Sequence, residues 1–325
     1  MEHDPPPPLV RVQYTSRDGW SAPLFYAPPA PGGSGEPVLI AHALGLGPDA
    51  YRYGGSDTLV GALTRAGFAV YLLTHRGDST SVGSGRDHAA DFDGIVSADV
   101  PAALAAVRTH SGFPEVHWVG HGLGGQLGLV GASRDSSGVA TVCAIGAPVR
   151  FPGVRSEFRA RHLALRLVPG HWRVPLRSAA SWAAPVSGDG VGIVVPAARA
   201  RGVMSFGSED FPVAMLQQLM TWVREGRLTS RDGRVDWTAG LACGRVPLRV
   251  VAGEGDPIWA PAYTEAAAEI WAGEVEVQRV PGWTHLDAVL GSHADERVHG
   301  PLVRWLVARR RLAWGAGWSR SCRGL

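Results

Sequence analysis

Two hydrophobic rhythms run along the chain. Leu9–Tyr14 and Ala22–Tyr26 alternate apolar and polar residues on either side of Ser16-Arg17-Asp18-Gly19, which predicts a hairpin. After the Pro/Gly-rich stretch Pro28–Pro37 the pattern changes. Val38-Leu39-Ile40, Phe68–Leu73, Val116–Val119 and Thr141–Ile145 are short runs that are almost wholly apolar, as strands covered on both faces must be. Between them Thr58–Ala66, Asp99–His110 and Leu123–Ala132 read as helices, the second with acidic Asp99 at its positive end. Repeated strand–helix–strand units predict an α/β fold with a mostly parallel central sheet and helices on both faces.

The rhythm stops at Gly146 and resumes at Pro247–Ala252. A helix near Ala262–Trp271, a strand at Glu274–Val280 and a last helix near Arg297–Arg311 follow. The intervening pieces Ser156–Leu167, Trp172–Trp182 and Phe211–Glu225 are amphipathic and rich in Arg, Trp and Leu, which predicts a helical insertion. The expected organisation is a flexible lead-in over 1–8, a core over 9–150 and 244–312, a helical lid over 151–243 and a tail over 313–325.

The most informative stretch is Val116–Gly128. An apolar strand runs into Gly120-His121-Gly122-Leu123-Gly124 and then into a helix of small residues. This is the frame of a nucleophile elbow, a tight turn that lifts one side chain above a sheet. Its central position holds Gly122, which has no side chain. Two further candidates follow buried strands: Asp256 in Gly253-Glu254-Gly255-Asp256, and His285 in Gly282-Trp283-Thr284-His285-Leu286-Asp287. Functional residues of open α/β sheets gather at the carboxyl ends of strands.

Composition narrows the classes. The chain has 325 residues, 45% hydrophobic and 18% charged, so it can bury a full core. Its net charge of +2 gives no case for a nucleic-acid partner. All 31 basic residues are Arg, a bias that lowers the meaning of any single Arg. Cys143, Cys243 and Cys322 are too scattered for a disulfide framework or a metal site, which suits a reducing compartment. The start, Met1-Glu2-His3-Asp4 and four prolines, lacks the features of a signal peptide. No apolar run reaches the roughly 18 residues of a membrane span. The expectation is a cytoplasmic protein with no metal and no cofactor; its oligomeric state stays open.

Five segments in order resemble the α/β-hydrolase fold of the lipase/esterase-like kind, over roughly residues 9–310. They are His42-Ala43-Leu44-Gly45, Thr74-His75-Arg76-Gly77-Asp78-Ser79, the elbow at Gly120–Gly125, Gly253-Glu254-x-Asp256 and Gly282-x-x-His285-Leu286-Asp287. The order elbow, Asp, His is that of this superfamily. The resemblance implies that His285 is an acid/base, oriented by Asp256, and that Gly122 stands at a vacant nucleophile position. It also implies an oxyanion hole from the backbone amides of Leu44 and Leu123. His42, Ala43 and His121 are assigned to the substrate side, with His121 also readable as a structural residue of the elbow.

Without a hydroxyl at Gly122, a serine acyl-enzyme mechanism through the elbow is excluded. Three readings remain. His285 and Asp256 act without a covalent intermediate, in water-mediated hydrolysis or a lyase, isomerase or cyclase reaction. Alternatively the fold is a catalytically inactive ligand-binding or regulatory protein. The third is a hydrolase whose nucleophile has moved, to the insertion or to Ser79 or Ser81, with Cys143 a further candidate. Asp287 is the one nearby carboxylate that could orient a water. The apolar insertion, with Phe211, Met215 and Trp222, suggests a hydrophobic small-molecule ligand.

Overall fold

The computed structural model describes residues 9–52, 57–83, 90–151, 167–176, 207–256, 259–287, 291 and 293–310. The expected lead-in 1–8, the tail 313–325 and the predicted helix Ser156–Leu167 save its last residue lie outside the described residues, as does most of Trp172–Trp182.

Eight strands form the central sheet: β1 Val10–Thr15, β2 Ser21–Ala27, β3 Pro37–Ala41, β4 Ala69–Leu73, β5 Val116–His121, β6 Val139–Ile145, β7 Leu248–Gly253 and β8 Val275–Val280. Their order is β1-β2-β4-β3-β5-β6-β7-β8. The β1–β2 and β2–β4 pairs are antiparallel, and every later pair is parallel. The predicted hairpin is present at one edge and the predicted strands follow in the sheet, but β8, the strand before His285, is an edge strand that is largely exposed rather than buried.

Successive residues of a strand face opposite sides, and both sides are covered. Trp118 and Val142 join one apolar cluster, whereas their neighbours Val119 and Cys143 join the other. The first cluster is closed by α2 Val100–Ser111, α3 Leu123–Arg134 and α5 Pro261–Ile270; the second by α1 Leu59–Arg65 and α6 Gly300–Val307. This is why β3 to β7 read as mostly apolar runs, interrupted by the buried His117, Thr141 and Arg249. Each fully buried Val, Leu or Ile in them contributes roughly 1.5–3 kcal/mol.

One helix start departs from expectation. Asp99 does not cap a terminus. The helical path begins earlier, at Phe92, where the Asp91 carboxylate accepts the Gly94 amide, and passes through a π turn at Ile95–Asp99. Asp99, fully buried, instead pairs with Arg76 through 2.6 and 2.8 Å contacts, and Arg76 also grips Asp18 of the hairpin turn at 2.8 and 3.0 Å. The motif Arg thus fastens the hairpin and the π turn to the loop after β4. Removing one partner of such a buried pair costs about 3–5 kcal/mol.

The described part of the insertion is tied down. Arg173–Val174 pairs with Phe211–Pro212 as a short antiparallel bridge, and α4 Val213–Glu225 follows as predicted. Gln218 of α4 uses its whole amide: Oε1 accepts the Phe92 amide at 3.1 Å, and Nε2 donates to Asp93 at 2.9 Å and to the Thr229 carbonyl at 3.1 Å. Trp222 Nε1 adds a 2.7 Å bond to the same carbonyl.

Candidate functional site

The site lies where β3, β5, β7 and β8 end. Gly122 closes β5 and opens α3 with φ 53° and ψ −115°. This left-handed region is open to glycine and strained for other residues. Its amide donates to the Ile145 carbonyl at 2.9 Å, which ties the turn to β6. A β-carbon at this position would stand 3.1 Å from Ala43 Cβ and 3.2 Å from His285 Nε2. The vacant position of the elbow therefore lies against the free nitrogen of the histidine.

Structure brings His285 and Asp256 together. His285 Nδ1 is 3.1 Å from Asp256 Oδ2, and Asp256 Oδ1 accepts the Trp259 amide at 2.9 Å. The side chains are 11% and 2% exposed. With Nδ1–H held by the carboxylate, the neutral ring carries its lone pair on Nε2, toward the elbow. Gly146 makes room for this ring: a β-carbon there would lie 2.9 Å from Nδ1. Asp287 points elsewhere. Its Oδ2 accepts the Thr284 amide at 2.9 Å and the Thr284 hydroxyl at 2.7 Å, fully buried, so it braces the loop that carries His285 and does not face the vacancy.

The loop after β3 reaches the elbow from the other side. Gly124 donates to the His42 carbonyl at 3.1 Å. Among the described residues, the amides of Leu44 and Leu123 make no backbone hydrogen bond, and both residues face the same cavity as His285. Two members of the predicted substrate side sit beneath that cavity and do not line it. His121 is 1% exposed; its Nε2 contacts the His285 carbonyl at 3.0 Å and its Nδ1 the Tyr51 hydroxyl at 2.9 Å. A carbonyl only accepts, so Nε2 donates, and Tyr51 must donate to Nδ1 while accepting the Ala43 amide at 3.0 Å. This chain joins the oxyanion-type loop, the elbow and the His285 loop. Burial, and after it the nearby His285, hold His121 neutral, well below the ordinary histidine range. His42, 2% exposed, contacts Asp78 at 3.0 Å, and its ring packs on that of His75 at 3.9 Å. Ala43 does line the cavity, as expected.

The cavity has a volume of about 310 Å³ and is walled by Leu46, Leu176, Met215, Leu219, Trp222 and Trp259 in addition to the elbow and the loops. Among the described residues, the polar side chains reaching it are His285, Gln126 and Ser208. Gln126 is committed to the Pro148 carbonyl at 2.7 Å. Of the candidates for a displaced nucleophile, Ser79, Ser81 and Cys143 are not on this wall, and of the insertion's hydroxyls among the described residues Ser208 is. Ser79 donates to Glu209 at 2.7 Å, Ser81 to the Asp78 carbonyl at 2.8 Å, and Cys143 is buried within β6, where burial pushes its thiol up to about 12. Ser208, Tyr51 and Trp259 are site residues that the sequence does not announce. They come from distant segments, and no spacing links them to the elbow. Among the described residues no group of three or more His, Cys, Asp or Glu could hold a metal, and no helix is long and apolar enough to cross a membrane.

A family model described as the alpha/beta hydrolase family matches residues 38–299. No curated protein matches the sequence. Among solved structures, the complex of DcsB with its substrate analogue is similar with a TM-score of 0.68 at 15% identity, covering 93% of this chain and 100% of that one. A soluble variant of monoglyceride lipase from Saccharomyces cerevisiae in complex with a substrate analog aligns with a TM-score of 0.67 at 16% identity, covering 96% and 98%. Paleococcus ferrophilus monoacylglycerol lipase gives 0.62 at 16% identity, covering 93% and 100%. Such identities establish a common fold.

Proposed function

This chain belongs to the alpha/beta hydrolase family, and from that premise we propose that it acts on a hydrophobic small molecule by acid/base chemistry of His285 and Asp256, without a covalent intermediate. The observation that carries the proposal is the 3.2 Å between His285 Nε2 and the place of a β-carbon on Gly122. A water or a substrate atom seated over Gly122 meets the lone pair directly.

For an ester the steps are these. The substrate carbonyl oxygen accepts the amides of Leu44 and Leu123. His285 Nε2 takes a proton from a water over Gly122, and the water oxygen attacks the carbonyl carbon. Asp256 stabilises the imidazolium that forms. The tetrahedral intermediate collapses, the C–O bond to the leaving group breaks, and the Nε2 proton passes to the departing oxygen. Well-placed acid/base catalysis is worth roughly 10²–10⁴ in rate. The two amides stabilise the charge that develops on the carbonyl oxygen. Proton abstraction beside a carbonyl, as in a lyase or isomerase, uses the same groups. Membership in the same fold family supports lipase- or esterase-like ligands, and the apolar wall supports a hydrophobic one.

The test is turnover of short and medium acyl esters by wild type and by His285→Ala. Turnover lost in the variant supports the proposal. A wild type that binds ligands in the cavity and converts none of the esters, with His285→Ala binding equally well, points to a ligand-binding protein.

A further inference from the structure

Among the buried titratable groups that the proposed chemistry leaves aside, His42 is held by two acceptors. Its Nδ1 lies 3.1 Å from the Ala43 carbonyl oxygen and its Nε2 3.0 Å from Asp78 Oδ2. A carbonyl oxygen has no hydrogen to give, so Nδ1 donates. Asp78 Oδ2 already takes the His75 amide at 2.6 Å. A carboxylic proton on that oxygen would be pressed against the amide, so Oδ2 offers a lone pair to Nε2. Both ring nitrogens donate, which makes His42 an imidazolium.

Its surroundings suit that charge. The ring is buried, and a buried charge needs a partner, which the 7% exposed Asp78 supplies. Burial opposes the charge on His42, but Asp78 outweighs it and holds the ring above its ordinary range, with Glu209 adding to the effect. His75 faces the same ring and stays neutral: burial, then the charge of His42, push it down to about 3. His121, the other nearby histidine, is neutral as well: burial, then His285, and least of these the charge of His42, hold it well below its ordinary range.

The acceptor of Nδ1 gives this charge its reach. The Ala43 carbonyl and the Leu44 N–H belong to one planar peptide unit. That oxygen also takes the Leu46 amide at 3.1 Å. Donors at the oxygen end of a peptide strengthen its N–H as a donor. We infer that the His42 imidazolium, seated on the Ala43–Leu44 peptide, makes the Leu44 amide an anion-seeking donor, so that the cavity prefers amphiphiles with a carboxylate or other oxyanion head over neutral ones. The head would rest over Gly122 between the amides of Leu44 and Leu123, with the tail among Leu46, Met215, Leu219 and Trp222. This rests on the placement of the site proposed above and not on turnover.

Two measurements test it. Nitrogen NMR of the histidine rings at neutral pH should find both His42 nitrogens protonated in wild type. Calorimetry should find octanoate bound about tenfold more tightly than octanamide, the gain of a charge-assisted hydrogen bond over a neutral one. Asp78→Asn should bring the two affinities together, chiefly by weakening octanoate. A bare nitrogen on His42, equal affinities in wild type, or no binding of either ligand each overturns the inference. If Asp78→Asn does not fold, the ring signals and the wild-type affinity ratio still decide. A preference for octanoate without turnover of any ester would uphold the inference and sink the proposed reaction.

Discussion

Nε2 of His285 and the vacant side of Gly122 are in contact: a β-carbon added to the glycine would stand 3.2 Å from that nitrogen and 3.1 Å from the methyl of Ala43. The histidine occupies some of the room a nucleophile would need. Gly122→Ser therefore demands a shift of a few tenths of an ångström in addition to a strained backbone. We expect Gly122→Ser to lose roughly 1–3 kcal/mol of stability, read as a lower Tm. We also expect it to acquire labelling by a fluorophosphonate that leaves wild type unmodified. Labelling of wild type would mean that a nucleophile exists elsewhere.

Asp256 holds one tautomer of His285. Asp256→Asn keeps the shape but can offer its N–H to Nδ1, which would turn the Nε2 lone pair into a donor. Any turnover that depends on His285 should then fall by roughly 10²–10⁴, as when a general base is lost, with kcat falling more than KM rises. Unchanged kcat would detach Asp256 from the chemistry.

Tyr51 links three segments through one hydroxyl. Tyr51→Phe strands the Ala43 amide and His121 Nδ1, both buried. A buried donor or acceptor left alone costs about 1–3 kcal/mol, to be read from urea unfolding. The loop bearing Leu44 should also loosen, which faster amide exchange at Leu46, bonded to the Ala43 carbonyl, would report. Exchange unchanged at Leu46 would show that the hydroxyl does not hold that loop.

Acid should weaken the fold partly through His75. Its folded-state pKa is pushed down to about 3, from an ordinary value near 6.5. Between those values the unfolded chain binds the proton and the folded chain does not. Stability contributed by the neutral ring is therefore complete above about pH 6.5 and lost as pH falls toward 3. Asp18, lowered to about 2 against the cost of its partial burial by its bonds to Arg76 and Ser16, loses its share in the next window, from about 4 to 2. His75→Asn should show a shallower fall of Tm between pH 6.5 and 4 than wild type. An identical slope would remove His75 from the account.

The sheet and the two residues of the proposed acid/base pair are legible in the sequence for a physical reason. A strand covered on both faces is mostly apolar, so β3 to β7 announce themselves, and Asp256 stands out as the polar residue just beyond β7; His285 follows β8, an alternating and largely exposed strand. Gly122 is legible because the elbow leaves glycines on either side of one position. What depends on direction is not legible. Asp287 lies two residues from His285 yet turns back to Thr284. Asp99 reads as a helix cap until Arg76, 23 positions away, claims it. His42 and His121 belong to the right segments but face downward, where each ring has two protein partners. Tyr51 joins the site through a contact across 70 positions, which no local pattern can signal.

Gln218 spends all of its amide on two separate segments, the turn at Phe92-Asp93 and the Thr229 carbonyl, and Trp222 beside it is bonded as well. The wall that α4 presents to the cavity is thus bolted rather than hinged. A bolted wall measures its guests. Lengthening a linear ligand one methylene at a time should raise affinity steadily, by a factor near four for each step at about 0.8 kcal/mol, and then stop abruptly when the tail meets Met215, Leu219 and Trp222. The chain length at which that ceiling falls is set by the side chains of one helix, and it is where selection among ligands would be written.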